Sequence, residues 1–279
     1  MKKGGSEMIK SMVEGMSKML TTKEEINDEI LMLKFRIVNA FLVGNKKAWV
    51  LVDTGLENSY DYIITQAEER FGKDNPPKAI ILTHAHFDHV GSLIELGSHW
   101  PVPVYAHQYE IPFITGEWDY PEGDPSSDEG LVAKISPFFP HESINIGYQA
   151  EALPEDHSVP GLPFWRWVHT PGHTPGHISL FKNDERILIS GDAITTTKQE
   201  SLTSVITQKE DVKGPPAYLT TDWDKAEKSV KILRNLKPNI ILPSHGKVLK
   251  GEELSDHLDL LVNHFNEQAV PNQGKFVNH

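Results

Sequence analysis

Apolar and polar positions alternate between two periods along this chain, and each change of period marks an element. Met8, Ile9, Met12, Val13, Met16, Met19 and Leu20 recur at helical spacing opposite Lys10, Glu14 and Lys18, predicting an amphipathic helix over residues 8–20. Its Met-rich face suits packing on its own domain or an adaptable partner surface. From Glu29 the runs become strand-like, with Phe35, Ile37, Val38, Phe41 and Leu42 between residues 31 and 43. Gly44-Asn45 then predicts a turn into a strand over 46–53 that Asp53-Thr54-Gly55 closes. Tyr62, Ile63, Ala67 and Phe71 share one face of a predicted helix over 59–71, which Gly72 and Pro76-Pro77 stop. A buried strand is expected over 78–83, and a short helix over 89–96.

The second half repeats this plan. Residues 185–190 read as a strand ending at Gly191-Asp192, and Ala226, Val230 and Leu233 line one side of a helix over 223–236. Pro238 ends that helix, and Asn239-Ile240-Ile241-Leu242 runs as a strand into Pro243-Ser244-His245. Each half thus reads strand, Asp, helix, Pro, strand, His, the signature of a duplicated αβ unit. Between the halves, residues 109–163 are rich in Pro, Gly and acid, with Trp118, Tyr120, Phe138, Phe139 and Tyr148 scattered through them. Such a stretch predicts either a lid over a site or a surface insertion. The expected layout is an N-terminal extension over 1–25 and one domain over 26–279, with the insertion inside it.

Composition narrows the classes. The 279 residues suffice to bury a sizeable core, and 38% hydrophobic with 24% charged residues describes an ordinary globular chain. The net charge of −12 disfavours a surface that tracks phosphates, so no nucleic-acid partner is expected. There is no cysteine, hence neither a disulfide framework nor a thiolate ligand. The apolar runs, such as Ala48-Trp49-Val50-Leu51-Val52, are strand-sized, and Met1-Lys2-Lys3 is not followed by an apolar signal core. A cytoplasmic protein without membrane association is expected.

The chemistry concentrates in Thr83-His84-Ala85-His86-Phe87-Asp88-His89, three imidazoles and a carboxylate within six positions. Imidazole and carboxylate together suit first-row metals. In extended chain His84 and His86 point the same way, whereas the neighbours Asp88 and His89 diverge, which suits two metal positions better than one. Three later strands also end on ligand-type residues: His169-Thr170-Pro171-Gly172-His173-Thr174-Pro175-Gly176-His177 after Trp165–Val168, Gly191-Asp192, and Ser244-His245. Trp165 and Trp167 are read as strand packing.

With these motifs and Val52-Asp53-Thr54-Gly55, in this order from about residue 30 to 250, the chain resembles the metallo-β-lactamase fold superfamily, in its glyoxalase II and lactonase-like branch. The resemblance implies an α/β fold, a four-layer αβ/βα sandwich of two pseudo-repeated halves. It implies that His84, His86 and His173 hold one metal, that Asp88, His89 and His245 hold a second, and that Asp192 bridges them. Asp53 would support the ligand loops from behind, and His169 and His177 would hydrogen-bond outside the metal sphere. His99, His107, His141 and His157 lack ligand spacing and are read as surface or packing residues.

Two divalent metals, zinc first with manganese or iron as alternatives, would ionise a water for attack on a small ester, lactone or thioester, with Asp88 as the catalytic carboxylate. The alternatives within the superfamily are a phosphodiesterase or nuclease and, further off, a mononuclear iron sulfur dioxygenase. Thr195 stands where acyl-homoserine lactonases carry a Tyr, three positions after the bridging Asp. The expected partner is a small-molecule substrate, with a homodimer possible.

Overall fold

The computed structural model describes residues 21–197 and 212–277; the helix expected over 8–20 lies outside them. The first sheet has seven strands in sequence order, β1 (Thr22–Asn27), β2 (Ile30–Lys34), β3 (Asn39–Asn45), β4 (Ala48–Val52), β5 (Ile80–Ile81), β6 (Val104–Ala106) and β7 (Ala150–Ala152). The first four form an antiparallel meander, while β4 to β7 pair in parallel. Strands β4 and β5 are buried on both faces and therefore carry unbroken apolar sequence rather than alternation, whereas β7 at the sheet edge is largely exposed. Helix α1 (Tyr60–Phe71) joins β4 to β5, and α2 (Leu93–His99) joins β5 to β6. Ile63, Ala67 and Phe71 of α1 and Leu93 and Leu96 of α2 share a core with Leu33, Leu42, Leu51 and Ile80. Trp49 stacks on Phe71 at 4.5 Å and meets Trp100 edge-on at 5.4 Å.

Several expected boundaries shift. The tight turn lies at Lys46-Lys47, with Gly44-Asn45 still inside β3, because Gly44 at φ 125 extends the ladder against Trp49. A strand precedes residue 26, since Thr22 to Asn27 pairs with β2. The strand expected over 78–83 holds ladder geometry only at Ile80–Ile81, and the helix expected from residue 89 starts at Leu93, after turns over 87–92. The polar side chains there bind backbone and one another, which competes with regular ladders.

The second sheet runs β13-β12-β11-β10-β9-β8, comprising β8 (Ser158–Val159), β9 (Leu162–His169), β10 (Ile178–Lys182), β11 (Ile187–Gly191), β12 (Ile240–Pro243) and β13 (Leu249–Lys250). Strands β11 and β12 pair in parallel, and helix α3 (Trp223–Asn235) connects them. Ala226, Val230 and Leu233 of α3 pack with Leu188, Ile241 and with Leu254, Leu258 and Leu261 of helix α4 (Glu252–Asn263). The strand–helix–strand repeat read from the sequence is thus present twice, as β4-α1-β5 and β11-α3-β12, each with a parallel pair.

The chain divides into two compact units, residues 1–121 with 140–163, and residues 122–139 with 164–279. Residues 109–121 and 140–163 belong to the first unit and residues 122–139 to the second, and β7 extends the first sheet. No helix among the described residues is long and apolar enough to cross a membrane.

Candidate metal centre

In the first unit the polar residues gather at the carboxyl ends of parallel strands, where α/β sheets form their sites. Asp53 follows β4, His84 lies three residues past β5, and His107 follows β6. Asp53 sits in the left-handed region at φ 58, and its buried carboxylate turns onto the loop after β5. Oδ1 accepts the Thr83 amide at 2.8 Å, and Oδ2 accepts the Thr83 hydroxyl at 2.8 Å and His89 Nδ1 at 2.9 Å. These contacts fix where the imidazole protons lie. A carboxylate only accepts, so His89 carries its proton on Nδ1 and presents the Nε2 lone pair. The Thr83 hydroxyl spends its proton on Asp53 and therefore accepts from His84 Nδ1 at 3.1 Å, which leaves Nε2 of His84 as a donor atom too. His89 Nε2 lies 3.9 Å from Asp88 Oδ1. His84, His86, Asp88 and His89 are all buried.

The second unit follows the same logic with hydroxyls in place of Asp53. Thr220 donates to the Pro216 carbonyl at 2.7 Å, so its oxygen accepts from His173 Nδ1 at 3.1 Å. His173 Nε2 then faces Asp192 Oδ2 at 3.3 Å, and His245 Nε2 lies 3.2 Å from the same oxygen. In the neutral ring, the lone pair of His173 meets a carboxylate oxygen with no proton between them, an arrangement that a cation makes favourable. The donor set therefore fits a metal.

His177 is buried behind Asp192. Its Nε2 accepts the Asp192 amide at 2.9 Å, so Nδ1 carries the proton and donates to Thr170 Oγ1 at 2.9 Å. Gly191, at φ 57, permits this approach, since a Cβ there would stand 2.5 Å from His177 Nε2. His169 donates from Nε2 to the Pro175 carbonyl at 3.0 Å, closing the 169–177 loop. Both histidines hydrogen-bond structurally, as expected. His99 and His157 are exposed, and buried His107 accepts the Tyr109 amide at Nδ1, 3.2 Å away.

Sequence reasoning did not find Thr83, Thr170, Thr220, Glu110 or Tyr120. Glu110 is fully buried and accepts the Ala85 amide at 3.1 Å, between His84 and His86. A lone hydroxyl or carboxylate remote in sequence offers no spacing to read.

The family description "Metallo-beta-lactamase superfamily" matches residues 33–245. The chain belongs to the metallo-β-lactamase superfamily. Within that superfamily it is 46% identical over 234 residues to the probable metallo-hydrolase YflN of Bacillus subtilis, covering 83% of this chain and 89% of that one. It is 28% identical over 171 residues to the hydroxyacylglutathione hydrolase GloC of Haemophilus influenzae, covering 61% and 72%. The crystal structure of TTHA1623 in a di-iron-bound form aligns with TM-score 0.51 at 25% identity, over 80% of this chain and 91% of that one. The two mixed sheets with their helices are the α/β sandwich fold of the superfamily, and its metal-holding chemistry is represented here by buried clusters of His and Asp.

Proposed function

We propose that this chain is a dinuclear metal-dependent hydrolase of a small ester, lactone or thioester. The observation that carries the reading is the pair of donor sets, one in each unit: buried His84, His86, Asp88 and His89 in the first, and His173 and His245 with Nε2 at 3.3 and 3.2 Å from Asp192 Oδ2 in the second. His84, His86 and His173 would hold one metal, and Asp88, His89 and His245 the other. Asp192 would help hold both. The chemistry that a bound pair supplies is polarisation of the scissile carbonyl and a water acidified to a pKa of about 7.

The side chains do the rest. Asp53 and Thr83 hold Nε2 of His84 and His89 as lone-pair donors, and Thr220 does so for His173. Asp88 can ligate through one oxygen and at the other take the proton of the attacking water, returning it to the leaving oxygen or sulfur. No Ser or Cys nucleophile is needed.

Substrate class rests on the likeness to GloC and on charge, since −12 overall repels polyanions. Thr195 argues against a phenol three residues after Asp192, because its hydroxyl donates to the Gly214 carbonyl at 3.2 Å. Zinc is the metal assigned first. Iron in the same positions is the second reading, favoured by the di-iron form of TTHA1623.

The test is elemental analysis of purified protein alongside lactone, thioester and bis(p-nitrophenyl) phosphate substrates. We expect two metals per chain and turnover of an acyl substrate. Asp88→Asn should lower kcat by at least about 100-fold, the low end of general acid–base contributions, with the fold retained by circular dichroism. One iron per chain, or steady turnover of the phosphodiester alone, would overturn the assignment.

A further inference from the structure

We infer that Glu110 and Tyr120 form a second brace for the metal loop, positioning His84 and His86 as Asp53 positions His89. The inference rests on the metal reading above. Both residues come from outside the recognisable motifs: Glu110 lies four residues past β6, and Tyr120 ten further on. The fully buried Glu110 carboxylate receives two protons on Oε2, one from the Ala85 amide at 3.1 Å and one from the Tyr120 hydroxyl. The Ala85 amide also lies 3.2 Å from the Tyr120 oxygen.

Ala85 stands between two donors, so anchoring its amide has a defined consequence. The Ala85 amide, held by Glu110, pins the peptide plane just after His84, and the Thr83 amide, held by Asp53, pins the plane that enters Thr83. The backbone around His84 is thereby held by two carboxylates that follow β4 and β6, the parallel strands on either side of β5. His86 is set by contact instead. The Tyr120 ring packs on its imidazole with centroids 4.4 Å apart, and Phe113 stacks on Tyr120 at 4.0 Å and 2°. Phe113 in turn belongs to the turn that Glu110 opens, its amide donating to the Glu110 carbonyl at 3.0 Å. Glu110, Phe113 and Tyr120 therefore act as one block behind the loop.

A block that only filled space would need neither a buried carboxylate nor a phenol aimed at one amide. Burying a carboxylate is costly unless it is hydrogen-bonded, and here the bonds go to the loop between the two imidazoles. Supporting contacts of this kind typically govern metal affinity by about 10–100-fold. Glu110 and Tyr120 are positioning residues, since they act through His84 and His86.

The experiment uses the full chain stripped of metal and titrated with zinc against a chromogenic chelator. It compares wild type, Glu110→Gln and Tyr120→Phe, with cobalt(II) absorption spectra of each and melting of each metal-free protein. Tyr120→Phe keeps the ring and removes only the hydroxyl, and is the variant to judge by if Glu110→Gln does not fold. We expect the tighter zinc step to weaken by about 10–100-fold in both, with a shifted cobalt spectrum, while the metal-free Tyr120→Phe protein melts within a few degrees of wild type. Unchanged zinc affinity and cobalt spectrum in a folded Tyr120→Phe protein would overturn the brace. Wild type that binds no zinc or cobalt would instead overturn the metal reading, and the brace with it.

Discussion

Proton placement at single residues decides which atoms of this site can bind a cation. Four imidazoles of the described chain have their tautomers fixed by neighbours that can play one role only: Asp53 for His89, Thr83 for His84, Thr220 for His173 and the Asp192 amide for His177. In the first three the proton is held on Nδ1 and Nε2 is left for a metal; in His177 Nε2 is used by the amide, which removes it from ligand duty. The His and Asp donors were legible in the sequence because chemistry demands rare residue types at close, repeated spacing. Of their supporters Asp53 was legible but Thr220 was not, since Thr220 lies 47 positions from His173 and a Thr carries no distinguishing signal. Thr220→Val keeps the shape and removes the acceptor, so His173 loses the partner that holds its proton on Nδ1. Zinc affinity should fall by about 10–100-fold, with nitrogen NMR of the metal-free protein showing mixed tautomers at His173. Unaltered affinity would mean that Thr220 does not govern the ring.

At the scale of elements, the two strand–helix–strand repeats were readable because parallel strands and amphipathic helices leave strong periodic patterns, and Pro and Gly mark their ends. What failed was ladder length around the donors. β5 keeps ladder geometry only at Ile80–Ile81, because Thr83 and Ala85 direct their amides to Asp53, Glu110 and Tyr120 instead of a strand. Helix α3 shows how an element positions a donor. Asp222 caps it, accepting the Lys225 amide at 3.0 Å, and the Asp222 amide donates to the Gly172 carbonyl at 3.0 Å, beside His173. Gly172 has φ 133, and a Cβ there would lie 2.3 Å from the Ala226 amide nitrogen, so only glycine lets the loop approach the helix. Partial burial works to raise the Asp222 carboxyl, but hydrogen bonds from Lys225 and the charges of Lys225 and Lys228 outweigh it and hold the group below the usual carboxylate range. A depressed pKa means that the cap stabilises the fold above the unfolded value of about 4, and that its contribution fades as pH falls through the folded value. Asp222→Ala should therefore cost about 1 kcal/mol at pH 7 and progressively less in acid. Melting curves at pH 7 and pH 3 test this, and a deficit that persists undiminished at pH 3 would show that the cap charge is not the cause.

For the whole molecule, the chain builds two compact units, the second of which takes residues 122–139 from between segments of the first. That membership is not legible in the sequence, because residues 109–163 have no period and bonds to distant partners decide where they belong. Asp124 donates its amide to the Tyr218 carbonyl at 2.8 Å and accepts the Lys275 amide, drawing residues 122–139 to the second unit. Tyr120 donates its amide to the His141 carbonyl at 2.9 Å, tying two parts of the first. Under the proposed function, the ligands run from His84 to His245, so the metals bind a chain already folded across some 160 positions and hardly at all when it is unfolded. Stability then depends on free metal through mass action, reaching about 4 kcal/mol at about 1,000 times Kd. For a chain of this size that corresponds to a melting temperature on the order of 10 °C higher than in chelator. Dialysis against a chelator should lower the transition by that amount and abolish turnover together, and zinc should restore both, with the transition rising in proportion to the logarithm of free zinc. Magnesium at equal concentration should restore neither, because it prefers oxygen ligands in octahedral geometry to imidazole. A melting temperature indifferent to free zinc over a thousandfold range would mean that these donors are held together by the fold alone.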